Sequence, residues 1–137
     1  MTYALDTNTI SYFLRGEGNV RHFFDKEILQ AGNPYAIPAV VAYEINRWLF
    51  YRPNTDKISL GKEFNALFDN VRETAKMPLG VWEKAVEVYI ELKNKGQIIG
   101  DADILIASYC IVNNFTLITR NISDFERIGG LKIIDWF

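Results

Sequence analysis

The chain has 137 residues, 49% of them hydrophobic and 23% charged, a balance that excludes a disordered chain and fits one globular domain over 1–137. Its 15 Lys and Arg against 17 Asp and Glu give a formal net charge of −2, which does not suit a general nucleic-acid binder. A single histidine, His22, and a single cysteine, Cys110, argue against histidine pairs, Ser-His-Asp triads, Cys/His zinc cages and internal disulfides. Acid–base or metal chemistry would therefore fall to carboxylates. No run approaches the roughly 18 apolar residues of a membrane helix, and "MTYALDTN" is not signal-like. A cytoplasmic protein is expected.

In chain order, "TYAL" (2–5) reads as a short strand ending at Asp6. Residues 19–32 space Val20, Phe23, Phe24, Ile28 and Leu29 as a helix, with Asn19 as its cap and Gly32 as its stop. "YAIPAV" (35–40) reads as a strand running into a helix that continues through "VAYEINRWLFY" and breaks at "RPNTD". Leu60, Phe64, Leu67, Phe68 and Val71 share one face of a third helix. In residues 81–96, Trp82, Ala85, Val86, Tyr89 and Ile90 line up, and Glu91 with Lys95 forms an i,i+4 pair ahead of Gly96. Residues 102–114 predict a buried helix holding Cys110, 115–119 a strand, 123–128 a helical turn and 131–135 a last strand. Strands alternate with helices and no hairpin turn joins them. That pattern predicts an α/β fold, a parallel sheet of about four strands with helices on both faces.

Such sheets work in the crevice beyond the carboxyl ends of their strands. Asp6 directly follows the first strand, and Asn121 and Asp124 follow "FTLIT". Glu44 lies within two turns of the second strand's helix, among apolar neighbours that would half-bury it. Asp101 and Asp103 begin the helix that leads into "FTLIT". Each acid also has a plain reading: an Asx turn for Asp6, helix caps for Asp101 and Asp124, a favourable helix-dipole position for Asp103. Needing every plain reading at once is the weaker account. Close carboxylates call for a shared proton or a divalent cation, and all-oxygen ligands suit Mg²⁺ or Mn²⁺. The pattern thus points to metal-assisted phosphodiester chemistry.

"LDTNTISYFL", "IPAVVAYE", "GDADILIASYC" and "FTLITRNISDFERIGGLKIIDWF" resemble, in that order, the PIN-domain ribonucleases, and among them the VapC toxins of toxin–antitoxin pairs. The resemblance implies a PIN-like three-layer sandwich around a mostly parallel sheet of four or five strands. It assigns Asp6, Glu44 and Asp103 as metal ligands and places Asn121 where the family has a fourth acid. It gives Asn8, Thr119, Asp101 and Asp124 supporting positions. It further implies Mg²⁺- or Mn²⁺-dependent cleavage of RNA, often tRNA, a VapB-type antitoxin that also reaches operator DNA, and a homodimer. Aromatics in helices 40–51 and 60–71 would supply an interface or fill the core.

Setting aside Asp6, Glu44, Asp101, Asp103 and Asp124 leaves 12 acids against 15 basic residues, an excess of +3 that is compatible with RNA. Arg15, Arg47, Arg52 and Arg120 are candidates for phosphate contacts. Three other readings stand beside this one, the first a PIN nuclease of RNA processing rather than a toxin, which the sequence leaves open. A haloacid-dehalogenase-like phosphatase conflicts with Asn8 and with the place of Thr119; a catalytically silent binding module would explain Asn121 but not the other acids.

Overall fold

The computed structural model describes residues 1–137. Strands β1 (Tyr3–Leu5), β2 (Tyr35–Ala36), β3 (Thr116–Ile118) and β4 (Lys132–Ile134) form one sheet in the order β2-β1-β3-β4. Every pairing is parallel, with Tyr3 opposite Tyr35 and Thr116, and Ile118 opposite Ile134. All three residues of β1 and of β3 are buried. Because successive residues of a strand face opposite sides, both faces of the sheet are covered. The strand order carries the functional consequence. The chain leaves β1 to build β2 on one side and later returns to build β3 on the other. The switch point lies at the carboxyl ends of β1 and β3, where such sheets open a crevice.

Helix α1 (Thr7–Arg15) starts directly after β1 and ends at Gly16, whose φ of 68° places it in the left-handed region. The helical segment after residue 19 divides into α2 (Val20–Phe24) and a π-helical stretch, Asp25–Gln30. Asn19 does not cap it. Its side-chain amide instead donates to the carbonyl of Phe137 (3.1 Å), tying down the C-terminus. Helices α3 (Ala39–Phe50), α4 (Asn54–Asp69) and α5 (Leu79–Asn94) each follow a proline, Pro38, Pro53 and Pro78, held in the extended conformation. Helix α6 (Asp101–Asn113) follows Gly100 and ends at Asn114 in the left-handed region, and α7 (Ile122–Phe125) is a single turn.

The core gathers Leu5, Ile10, Ile37, Ile45, Phe64, Leu92, Ile106, Leu117 and Phe125 around the sheet, with Cys110 fully enclosed. Phe64 of α4 lies in this core, and Phe68 stacks on it at 5.7 Å. One helical face departs from the sequence pattern. Helix α5 buries Val81, Val88 and Leu92, while Trp82, Val86, Tyr89 and Ile90 stay substantially exposed. The apolar positions of α5 are too many for one contact face. Packing against α6 takes the stripe through Val81, Val88 and Leu92 and leaves the other facing outwards. Glu91 and Lys95 pair as expected, at 2.9 Å.

Tyr109, almost wholly buried on α6, donates its hydroxyl to the carbonyl of Thr74 at 2.6 Å. Replacing Tyr109 by Phe strips that carbonyl of its partner and is expected to cost about 1–2 kcal/mol. The urea midpoint should fall with its slope unchanged.

Candidate active site

The residue after β1 is already a device. Asp6 is 4% exposed, and its Oδ1 accepts the backbone N–H of Thr9 at 2.8 Å, capping α1. The hydroxyl of Thr9 donates to the carbonyl of Ile118 in β3 at 2.9 Å, the backbone N–H of Asp6 reaches the same carbonyl at 3.3 Å, and fully buried Thr119 lies against the Asp6 carboxylate. One carboxylate therefore joins the end of β1, the start of α1 and the end of β3. Burial nevertheless raises its pKa above the ordinary carboxylate value, with the three threonine contacts pulling the other way and Glu44 adding repulsion.

Glu44 is half-buried on α3 and accepts the hydroxyl of Thr7. Asp103, in the first turn of α6, is also half-buried, and its carboxylate receives no hydrogen bond from the protein. Its pKa is pushed up to about 6, first by burial and then by the charges of Asp6, Glu44 and Asp124. The fold has thus brought Asp6, Glu44 and Asp103 within electrostatic reach of one another. None of the protein's ion pairs touches any of these three acids.

The supporting residues divide. Asn121 donates its side-chain amide to Asp124 at 3.0 Å and its backbone N–H to the hydroxyl of Thr119 at 3.0 Å. Asp124 faces Asp103 and is partly offset by Arg127 at 3.5 Å. Asn8 is exposed and its side chain holds none of the acids. Asp101 is exposed and makes no cap, because Gly100 occupies the cap position. It sits instead on the rim of an apolar groove of about 380 Å³ with Trp82, Val86 and Tyr89. Thr7 and Thr9 were not singled out in the sequence. Their signal was present: hydroxyls one and three residues after a strand-end aspartate, placed to cap and to brace.

Five arginines, Arg15, Arg21, Arg52, Arg72 and Arg127, are tied to carboxylates. Arg47 and Arg120 are not. Arg47 lies one turn beyond Glu44 on α3, and Arg120 stands between Thr119 and Asn121 with its guanidinium over the ring of Phe137 at 3.6 Å. The thiol of Cys110 is enclosed and pushed well above its ordinary pKa by burial and by Asp6, so it offers no thiolate. His22 is exposed and packs edge-on against Phe23.

The donor set fits a hard divalent cation. It consists of carboxylate oxygens, carries repulsion that no basic side chain offsets, and leaves both oxygens of Asp103 without a donor. The side chains do not close into a ready cage of three acids at ligand spacing.

Comparison with known proteins agrees with this architecture. The PIN domain family matches residues 3–131. The chain belongs to the PIN-domain family. Ribonuclease VapC2 of Rickettsia felis is 31% identical over 140 residues, covering 99% of this chain and 98% of that protein. The crystal structure of VapBC2 from Rickettsia felis bound to a DNA fragment from their promoter superposes with a TM-score of 0.83 at 28% identity, covering both chains completely. A shorter match, 34% over 50 residues, covers 36% of this chain and 38% of the tRNA(fMet)-specific endonuclease VapC of Shigella flexneri. This PIN domain is thus a member of the VapC group, and no helix in it is long and apolar enough to cross a membrane.

The crowding of acids in this PIN domain has a measurable signature. A carboxylate whose folded pKa is raised stabilises the fold below its unfolded value and loses that contribution as pH rises through the folded one. In metal-free protein the Tm is expected to decline between pH 4 and pH 6, the interval from the ordinary 3.8 to the raised value of Asp103. Asp103→Asn should flatten that decline and raise the Tm at pH 7, as read by thermal melts across the pH series.

Proposed function

We propose that this chain is the toxin of a VapBC-type toxin–antitoxin pair, an endoribonuclease that cuts RNA with the help of Mg²⁺ or Mn²⁺. The observation that carries the reading is the convergence of Asp6, Glu44 and Asp103 at the switch point of the sheet with no basic side chain to neutralise them. Its near full-length similarity to a ribonuclease VapC supports RNA as the substrate, and the shorter match to a tRNA-specific endonuclease supports tRNA as the class. A VapB-type antitoxin is the partner, and operator DNA is reached through it, by similarity to the DNA-bound VapBC2 assembly.

Asp6, Glu44 and Asp103 would hold the cation. When bound, it offsets their repulsion, acidifies water and balances the charge that builds on the attacked phosphate. The protein's own contribution is position. Thr9 and Thr119 fix the carboxylate of Asp6, and Thr7 fixes that of Glu44. Asn121 holds Asp124 beside Asp103 and leaves its own carbonyl oxygen unclaimed by the contact. Arg47, one turn after Glu44, and Arg120, just before Asn121, have no carboxylate partners and are available to phosphates. With no histidine in the acid cluster, attack by water is favoured over attack by the ribose 2′-hydroxyl, and the products are a 5′-phosphate and a 3′-hydroxyl.

The test is cleavage of bulk tRNA by the antitoxin-free protein with Mg²⁺, with Mn²⁺ and with EDTA. Cutting should require the metal and should disappear in Asp6→Asn and in Asp103→Asn, both of which should remain folded. Cutting that persists in EDTA, or in Asp103→Asn, would overturn the assignment. Thr119→Val, which removes a brace rather than a ligand, should lower the rate roughly 10- to 100-fold.

A further inference from the structure

Beside the acids, between α1 and α3, lies a second feature that catalysis by three carboxylates does not use. It is a cleft of about 420 Å³ lined by Ser11, Arg15, Glu44, Arg47, Trp48 and Tyr51, among others. Its size suits one small ligand or one unit of a larger one. Its walls are chemically divided. Glu44 belongs to the acid cluster, so the cleft opens directly from the site. Arg15 is tied to Glu17 at 2.6 Å and to the carbonyl of Ser11. Arg47 has no carboxylate partner and is held only against Tyr43, its guanidinium 5.2 Å from the ring centre. Tyr51 is 79% exposed and held edge-on by Phe50 at 5.1 Å, while Trp48 is half-buried beneath the guanidinium of Arg52 at 5.2 Å.

An uncommitted arginine beside braced aromatic rings is the composition that binds single-stranded nucleic acid: cations take phosphates and π-faces take bases. We propose that this cleft is a nucleotide subsite, in which an unpaired base of the RNA stacks on Tyr51 against Trp48 and Arg47 holds an adjoining phosphate. The inference rests on the ribonuclease reading and deepens it, because it makes the substrate an unpaired segment. A duplex keeps its base faces stacked on one another and has none to offer Tyr51. A second copy of the chain or an antitoxin segment seated on Tyr51 is the competing occupant, and the uncommitted charge of Arg47 favours RNA.

The experiment uses a single-stranded oligoribonucleotide carrying 2-aminopurine, whose fluorescence falls when the base stacks, titrated with the folded protein in EDTA so that it is not cut. Tyr51→Ala should abolish the quench and weaken binding roughly tenfold, and Tyr51→Phe should restore both. Arg47→Ala should lower the slope of log Kd against log salt by about one. The same sequence as a duplex should give no quench. Unchanged quench and affinity in Tyr51→Ala would overturn the subsite, as would sedimentation showing a wild-type dimer that Tyr51→Ala turns into a monomer. Cleavage of tRNA by the same preparations separates the two readings. Cutting undiminished by Tyr51→Ala overturns the subsite and leaves the ribonuclease; Tyr51-dependent quench without metal-dependent cutting by wild type leaves the subsite and overturns the ribonuclease. Wild type that neither cuts nor quenches overturns both.

Discussion

The hydrogen bonds that converge on Asp6 hold the rest of this molecule in register. A buried carboxylate is costly unless its oxygens are satisfied, and here the satisfaction is structural. Thr9 supplies its backbone N–H, starting α1, and sends its hydroxyl to Ile118 across the sheet; Thr119 closes the circuit from the end of β3. The strand pair at the switch point, the direction of the first helix and the position of the first acid are therefore one arrangement. Disturbing any part of it moves the carboxylate.

Around that anchor the protein leaves charge unresolved. Elsewhere it pairs acids with bases freely, as in Arg21 with Glu63 or Lys84 with Glu87, in exposed contacts of small individual worth. At the switch point it does the opposite and packs Asp103 against the fields of Asp6, Glu44 and Asp124 with only Arg127 nearby, on the far member. Native structures rarely carry such a deficit without a use, and perturbed carboxylates in a cleft mark functional sites. The two arginines without partners, Arg47 and Arg120, adjoin the same residues in sequence. A chain of net charge −2 can thus present cationic groups where a polyanion would approach.

The surface also carries apolar area that the core does not require. Trp82, Val86, Tyr89 and Ile90 on α5, and Tyr43, Phe50 and Tyr51 at α3, are exposed. On α3 these rings border the polar cleft; on α5 they border an apolar groove with Asp101 on its rim.

The parallel sheet and most elements were legible in the sequence, because alternation of short apolar strands with helical spacing admits few architectures; helix α1 (Thr7–Arg15), polar at its start and carrying few apolar positions, was not. The acids Asp6 and Glu44 were legible for the same reason: one ends a strand, and the other interrupts an apolar helix. What the sequence could not decide was which groups meet. The approach of Asp103 to Asp6 depends on α6 running back along β3 and on the order β2-β1-β3-β4, both set by long-range packing. Asp101, two residues away, was a reasonable cap by composition, yet the geometry at Gly100 turns it out to solvent. Asn19, another plausible cap, was drawn to the Phe137 carbonyl by the docking of the C-terminus. On α5 the periodicity showed a broad apolar face, and only contact with α6 selected which stripe is buried. Local patterns limit each residue to a few roles; tertiary contacts between residues distant in sequence choose among them.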